Sequence, residues 1–99
     1  MEPTDVNPLF AQARAGDLGA FERLVEQHRD RVYGLALRMT RSEADAAKIS
    51  QEVFLSAWRN LAGFKGDTTA AFVAWLNRIA ANQTLMRLRH RRVVRQVEE

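Results

Sequence analysis

Beyond Pro8 the chain contains no proline, and its apolar residues recur at intervals of three and four. That period belongs to helices, and runs of β-branched residues that would favour strands are absent. An all-α chain follows, so the sequence is best read for where helices start and stop. Pro8 suits the first position of a short helix over residues 8–15, Gly16 ends it, and Asp17 is placed to cap the next. The second helix covers residues 18–39, with Phe21, Leu24, Val25, Val32, Leu35, Ala36 and Met39 inward. His28, set among Glu26, Gln27, Arg29 and Asp30, reads as a polar break on a solvated face. Arg41-Ser42 is the turn, and Ser42 with Asp45 three residues on resembles a capping box. The third helix covers residues 43–61, with Ile49, Val53, Ala57 and Leu61 as one stripe beside Phe54 and Trp58, and Gly63 as its cap. After the loop 64–69, where Asp67 or Thr68 supplies a cap, a fourth helix runs from about Ala70 to beyond Arg89. Its inward residues are Phe72, Trp75, Leu76, Ile79 and Met86. The expected fold is a compact all-α bundle of three long helices plus a short N-terminal helix. Residues 1–15 form the N-terminal segment, 16–92 the domain, and 93–99 a fraying end or linker stub.

Ninety-nine residues make one small domain with a modest core. Charge is unevenly placed. Residues 1–67 hold nine Lys/Arg against ten Asp/Glu, whereas residues 68–99 hold six against two. From Thr68 to Val97 there are six arginines and no acid. A near-neutral body with a basic end fits a polyanionic partner, either nucleic acid or an anionic surface. The lack of cysteine excludes disulfides and thiolate metal sites and permits a reducing compartment. No apolar run reaches the length of a membrane span, and the start Met-Glu-Pro-Thr-Asp lacks the order of a signal peptide. A soluble intracellular protein is expected, without membrane insertion.

The residues argue against catalysis, metal and cofactor. His28 and His90 have no metal-ligand spacing, no glycine-rich phosphate loop is present, and Ser42, Ser50 and Ser56 have no matching His–Asp set. The basic end is the stronger candidate. Arg87, Arg91 and Arg95 fall at spacing four on one helix face, with Arg89 and Arg92 nearby, and such a face can follow a phosphate backbone. The plainer alternative is a solvated charge run that favours a helix C-terminus. Phe72 and Trp75 read as core rather than as stacking platforms. The loop Gly66–Thr69 and Asn82 offer donors and acceptors for a base edge, but capping by Asp67 or Thr68 explains the loop equally simply.

Several ordered motifs carry a family resemblance. Gly16-Asp17 with Phe21-Glu22-Arg23-Leu24-Val25 resembles the opening of the extracytoplasmic-function class of bacterial sigma factors. Gln51-Glu52-Val53-Phe54-Leu55-Ser56-Ala57-Trp58-Arg59 resembles that family's second-region helix. Phe64-Lys65-Gly66-Asp67, then Phe72, Trp75-Leu76, Arg78-Ile79-Ala80 and Asn82, is similar to its third-region signature. Leu85, Arg87-Leu88-Arg89 and Arg91-Arg92 resemble the basic fourth stretch. The match spans residues 15–92. It implies a sigma region 2 domain of the bacterial cytoplasm that is no enzyme. Such a domain recognises and melts the promoter −10 element, held as the non-template single strand, when it directs RNA polymerase to initiation. By position, Lys65, Gly66, Asp67, Thr68, Thr69, Arg78, Asn82, Arg87, Arg89, Arg91 and Arg92 would meet DNA, with a flipped base near the loop and Asn82 lining its pocket. Asp45, Lys48, Gln51, Glu52 and Leu55 would meet the β′ subunit of the polymerase core, and an anti-sigma factor is the implied regulator.

Departures accompany the likeness. Lys48 stands where the family usually has an acid, which reverses a charge at a contact. Met86 replaces a common Asp and would extend the core. Asp67 and Phe72 are five positions apart, a longer loop than the pattern expects. The family's −35-reading domain is missing from this chain, which reads as an excised domain or a short relative. Three alternatives accompany the promoter reading: a sigma-like module that binds an anti-sigma factor or regulator but docks poorly on polymerase, a generic basic DNA binder, and, last, a membrane-surface helix.

Overall fold

The computed structural model describes residues 7–98, and the side chains of residues 7–94. It contains α1 (Pro8–Arg14), α2 (Leu18–Thr40), α3 (Glu43–Arg59), a 3-10 turn (Leu61–Gly63) and α4 (Thr69–Glu98). Three long helices and one short one thus form the expected all-α bundle. α4, at about 45 Å by helical rise, sets the long dimension of a 56 × 27 × 19 Å body.

The helix boundaries follow side chains that satisfy otherwise unpaired backbone amides. Asn7 Oδ1 accepts from Leu9 N–H at 2.9 Å, ahead of Pro8 at the first helical position. Gly16 leaves α1 with φ 103°, a conformation glycine adopts without steric cost. Asp17 Oδ1 accepts from Ala20 N–H, and Ser42 Oγ accepts from Asp45 N–H at 3.1 Å. Only half of the expected capping box forms. Ser42 N–H donates to Thr40 Oγ1 rather than to the Asp45 carboxylate. α2 ends on Arg41 in the left-handed region (φ 55°), and its N–H returns to Leu37 O.

Phe10, Leu24, Val32, Ile49, Val53, Phe72 and Leu76 lie fully buried between the helices. Phe72 is the hub of an aromatic cluster, with ring centroids 5.0 Å from Phe10, 5.4 Å from Phe64 and 5.9 Å from Trp75. The stripe Ile49, Val53, Ala57 and Leu61 is buried as its spacing requires, though Leu61 sits in the 3-10 turn. α3 stops at Arg59 with Asn60 as cap, so Gly63 closes the 3-10 turn and not the helix.

Three expectations are corrected. His28 is no polar break: it is only 5% exposed and packs edge-on against Phe72 at 5.1 Å. Leu24, His28 and Val32 are spaced by four, so helical phase buries the imidazole whatever its chain neighbours are. Met86 does not extend the core: it is 56% exposed. The inward line of α4 is Phe72, Leu76, Ala80 and Thr84, and Met86 lies two residues, about 200°, off it. Met39 is likewise exposed, and Thr40 takes the buried position, its hydroxyl donating to Ala36 O at 2.8 Å. At the other end α4 runs as helix to Glu98. Residues 1–6 of the N-terminal segment lie outside the described residues.

Candidate nucleic-acid interface

The loop between α3 and α4 is held from outside by α1. Arg14 Nη1 donates to Phe64 O at 3.1 Å and to Gly66 O at 2.9 Å, and its guanidinium carbon lies 5.5 Å from the Phe64 ring centroid. Asn7 N–H donates to Asp67 O at 3.3 Å. Phe64 is buried against Phe10, Phe72 and Trp75. Gly66 is required by close approach, since a Cβ there would fall 2.8 Å from the Ala71 Cβ and 3.0 Å from the Phe64 ring. Thr68 Oγ1 accepts from Ala71 N–H and starts α4, so Thr68 is the capping residue. Lys65 and Asp67 are exposed, while Gly66, Thr68 and Thr69 are half-buried.

Along α4 the candidate residues divide by helical phase. Arg78, Asn82, Leu85, Arg89 and Arg92 fall at steps of four and three, and all are exposed, so they form one outward row about 21 Å long. Among the described residues Arg78, Arg89 and Arg92 make no ion pair. Arg87 and Arg91 lie on the opposite side. Arg87 Nε meets Asp45 Oδ1 at 3.3 Å, and Arg91 Nη1 meets Asp45 Oδ2 at 3.1 Å. Arg91 also donates to Thr40 O at the end of α2. The expected face of Arg87, Arg91 and Arg95 is therefore directed at the α2–α3 corner for its first two members, and the Arg95 side chain lies outside the described residues. Asn82 is set apart from the loop. Gly66 packs at the level of Ala71, and Asn82 stands about 16 Å further along α4. No hydrogen bond joins Asn82 to the loop among the described residues.

The residues assigned to a polymerase contact also separate. Lys48, Gln51, Glu52 and Leu55 are exposed on the outer face of α3, whereas Asp45, with a 16% exposed side chain, is engaged by the two arginines. Gln51 borders a cleft of 530 Å³ between α2 and α3, together with Arg29, Tyr33 and Phe54. Glu52 faces a smaller hollow of 140 Å³ shared with Met86, Arg87 and His90 of α4. Two participants were missed in the sequence: Arg14 as the loop's brace, and Asp45 as partner of Arg87 and Arg91. Both contacts join residues more than forty positions apart, and no local spacing signals them.

The His28 imidazole has its pKa lowered from 6.5, first by burial and then by the Arg31 charge. No hydrogen-bond partner for its Nδ1 is present among the described residues. It is a core group rather than a site group. Among the described residues no cluster of three or more His, Asp or Glu is arranged to hold a metal, and no helix is long and apolar enough to cross a membrane.

A helical bundle with a braced loop, an outward arginine row and an exposed polar face on α3 has the charge placement that suits a polyanionic partner. The family model for sigma-70 region 2 matches residues 24–93, and the chain belongs to that family. It is 37% identical over 81 residues to the extracytoplasmic-function RNA polymerase sigma factor SigW of Bacillus subtilis, covering 82% of this chain and 42% of that protein. It is 38% identical over 74 residues to the RNA polymerase sigma-H factor of Pseudomonas aeruginosa, covering 75% of this chain and 37% of the relative. With SigE of Mycolicibacterium smegmatis, another extracytoplasmic-function sigma factor, it shares 34% over 94 residues, 95% of this chain and 35% of the relative. The chain thus spans less than half the length of each of these relatives. SigW and SigE place it in the extracytoplasmic-function class of RNA polymerase sigma factors.

Proposed function

We propose that this domain reads the promoter −10 element as a single strand and, docked on the β′ subunit of RNA polymerase, helps direct initiation in the bacterial cytoplasm. The observation that carries this reading is the outward row Arg78, Asn82, Arg89 and Arg92, which starts about 10 Å along α4 from a loop braced by Arg14, in a chain of the sigma-70 region 2 family. Arginines of the row hold phosphates and fix register, and the loop and Asn82 meet base edges. Unstacking a base costs a few kcal/mol, which phosphate contacts and a shaped receiving loop offset. Lys48, Gln51, Glu52 and Leu55 form the docking face on α3. An anti-sigma factor covering these same faces is the expected regulator.

Fluorescence anisotropy with −10-like single strands and matching duplexes, with and without polymerase core, tests this. Tighter binding to single strands, with a preference among bases, is expected. Equal affinity for single and double strands removes base capture.

A second reading rests on Lys48, an exposed cation on the docking face. It makes the domain a sigma-like module that binds a regulator while docking weakly on polymerase. Polymerase pull-down with the wild type and Lys48→Asp separates the two. Capture of the variant alone selects the second reading.

A further inference from the structure

We propose that Arg14 of α1 is a specificity-positioning residue: it sets the shape of the base-receiving loop without itself gripping the strand. The proposal rests on the reading that the loop Lys65–Thr69 receives a base, and assigns that loop's geometry to a residue outside every motif that carries the family likeness.

One guanidinium nitrogen bonds two carbonyls two residues apart, Phe64 O at 3.1 Å and Gly66 O at 2.9 Å. The two N–H groups of this one nitrogen pin the turn between them and draw both carbonyls toward α1. Asn7 N–H draws the next carbonyl, Asp67 O, to the same side at 3.3 Å. Three loop carbonyls therefore face α1, and the amides of Lys65, Gly66 and Asp67 have no hydrogen-bond acceptor among the described residues. Drawing these carbonyls to α1 leaves the loop amides as the groups that the acceptor atoms of a base edge would meet.

The brace is itself immobilised. Phe10, one turn before Arg14 on α1, is fully buried and packs on Phe64 at 5.7 Å and on Phe72 at 5.0 Å. The guanidinium lies against the Phe64 ring. Gly66 has no room to slide, because Ala71 and the Phe64 ring bound it closely. Loop shape is thus transmitted from α1 through the Arg14 Nη1 group and an aromatic stack. Lysine keeps the charge, but its shorter reach and lack of a planar face to lie against Phe64 do not reproduce the brace.

The test uses the whole domain and four short single strands that differ at one base, with oligothymidylate as the probe of phosphate grip. Wild type, Arg14→Gln and Arg14→Lys are compared by anisotropy, with helicity and melting temperature measured alongside. Loss of two hydrogen bonds from a charged donor predicts that the best-to-worst base ratio falls roughly tenfold. Oligothymidylate affinity is expected to stay within about twofold, since the outward row is untouched. Arg14→Lys is expected to lose discrimination almost as fully, and it carries the test if Arg14→Gln melts below the assay temperature. A folded variant that retains the wild-type base ratio overturns the role of Arg14 while leaving the promoter reading standing. Equal loss of affinity for all five strands also overturns it, because that is what a phosphate contact does. A wild type that shows no base preference removes both this proposal and the reading beneath it.

Discussion

The two sides of α4 use the same residue type for different ends. On the inner side, Arg87 and Arg91 share one carboxylate, that of Asp45, and join α4 to the corner between α2 and α3. On the outer side, Arg78, Arg89 and Arg92 project into solvent with no ion pair among the described residues. Neighbours in sequence therefore differ in availability: Arg91 is engaged within the fold and Arg92 is not. Helical phase, rather than the number of arginines in a run, decides how much positive charge a partner meets. A count over residues 87–92 doubles the charge that the outer face of that stretch offers.

The largest expected effect comes from breaking the inner side. Asp45→Ala leaves two partly buried guanidiniums without their counter-ion. The pair is neither fully exposed nor fully buried, so a loss of about 1–2 kcal/mol is expected, between the values for those limits. Chemical denaturation followed by helicity measures it. The Ser42 cap of α3 uses the Asp45 backbone and stays in place. The same variant also frees two cations, so its affinity for DNA at low salt is expected to rise although its stability falls. A variant that neither loses stability nor gains affinity would show that the inner pair is no different from the outer row.

Breaking the outer side has the opposite signature. Arg89→Ala with Arg92→Ala is expected to leave the denaturation midpoint within experimental scatter, because both side chains are exposed. Binding to single strands weakens, and the slope of log affinity against log salt becomes shallower by about 1.4, at roughly 0.7 for each phosphate no longer neutralised. Arg87→Ala, tested in parallel, is expected to change the slope much less. A salt titration in which the two sides contribute equally breaks the distinction.

The inner side of the bundle also holds an acid-sensitive group. His28 is buried against Phe72, and its pKa is lowered by burial and then by Arg31. In the unfolded chain it takes up a proton near pH 6.5, whereas in the fold it stays neutral to lower pH. Its contribution is thus fully present above about pH 6.5 and is lost as pH falls from there through the lower folded value. Thermal melts between about pH 7 and pH 5 are expected to show this loss, and His28→Leu is expected to flatten it. An unchanged slope in that variant assigns the acid sensitivity elsewhere.

Much of this arrangement was readable in the chain. Asp17 and Ser42 mark helix starts because capping is a local interaction, and Ile49, Val53 and Ala57 announce a buried stripe because a helix repeats its own phase. Local polarity misled at His28, whose chain neighbours are charged but point elsewhere. At Met86 a small drift in the assumed phase, carried over four turns from Phe72, reversed inside and outside. The pairing of Asp45 with Arg87 and Arg91, and of Arg14 with the loop, depends on where helices meet. Charges of both signs were visible, but their partners were not, because 42 to 52 residues separate them.

The smallest effect distinguishes two kinds of polar group on the inner side. Thr84 is fully buried, yet its hydroxyl has no hydrogen-bond partner among the described residues. It occupies the α4 position between the apolar line Phe72, Leu76 and Ala80 and the paired Arg87. A buried hydroxyl without a partner carries a desolvation cost that an isosteric methyl does not. Valine has nearly the same shape, and in mid-helix its lower conformational freedom is a minor penalty. Thr84→Val is therefore expected to stabilise the domain by about 0.5–1 kcal/mol, raising its denaturation midpoint without altering the salt dependence of DNA binding. A decrease in the midpoint would mean that the Thr84 hydroxyl is bonded in solution. The polar part of the inner side would then begin one turn nearer the aromatic cluster than the Asp45 pair alone implies.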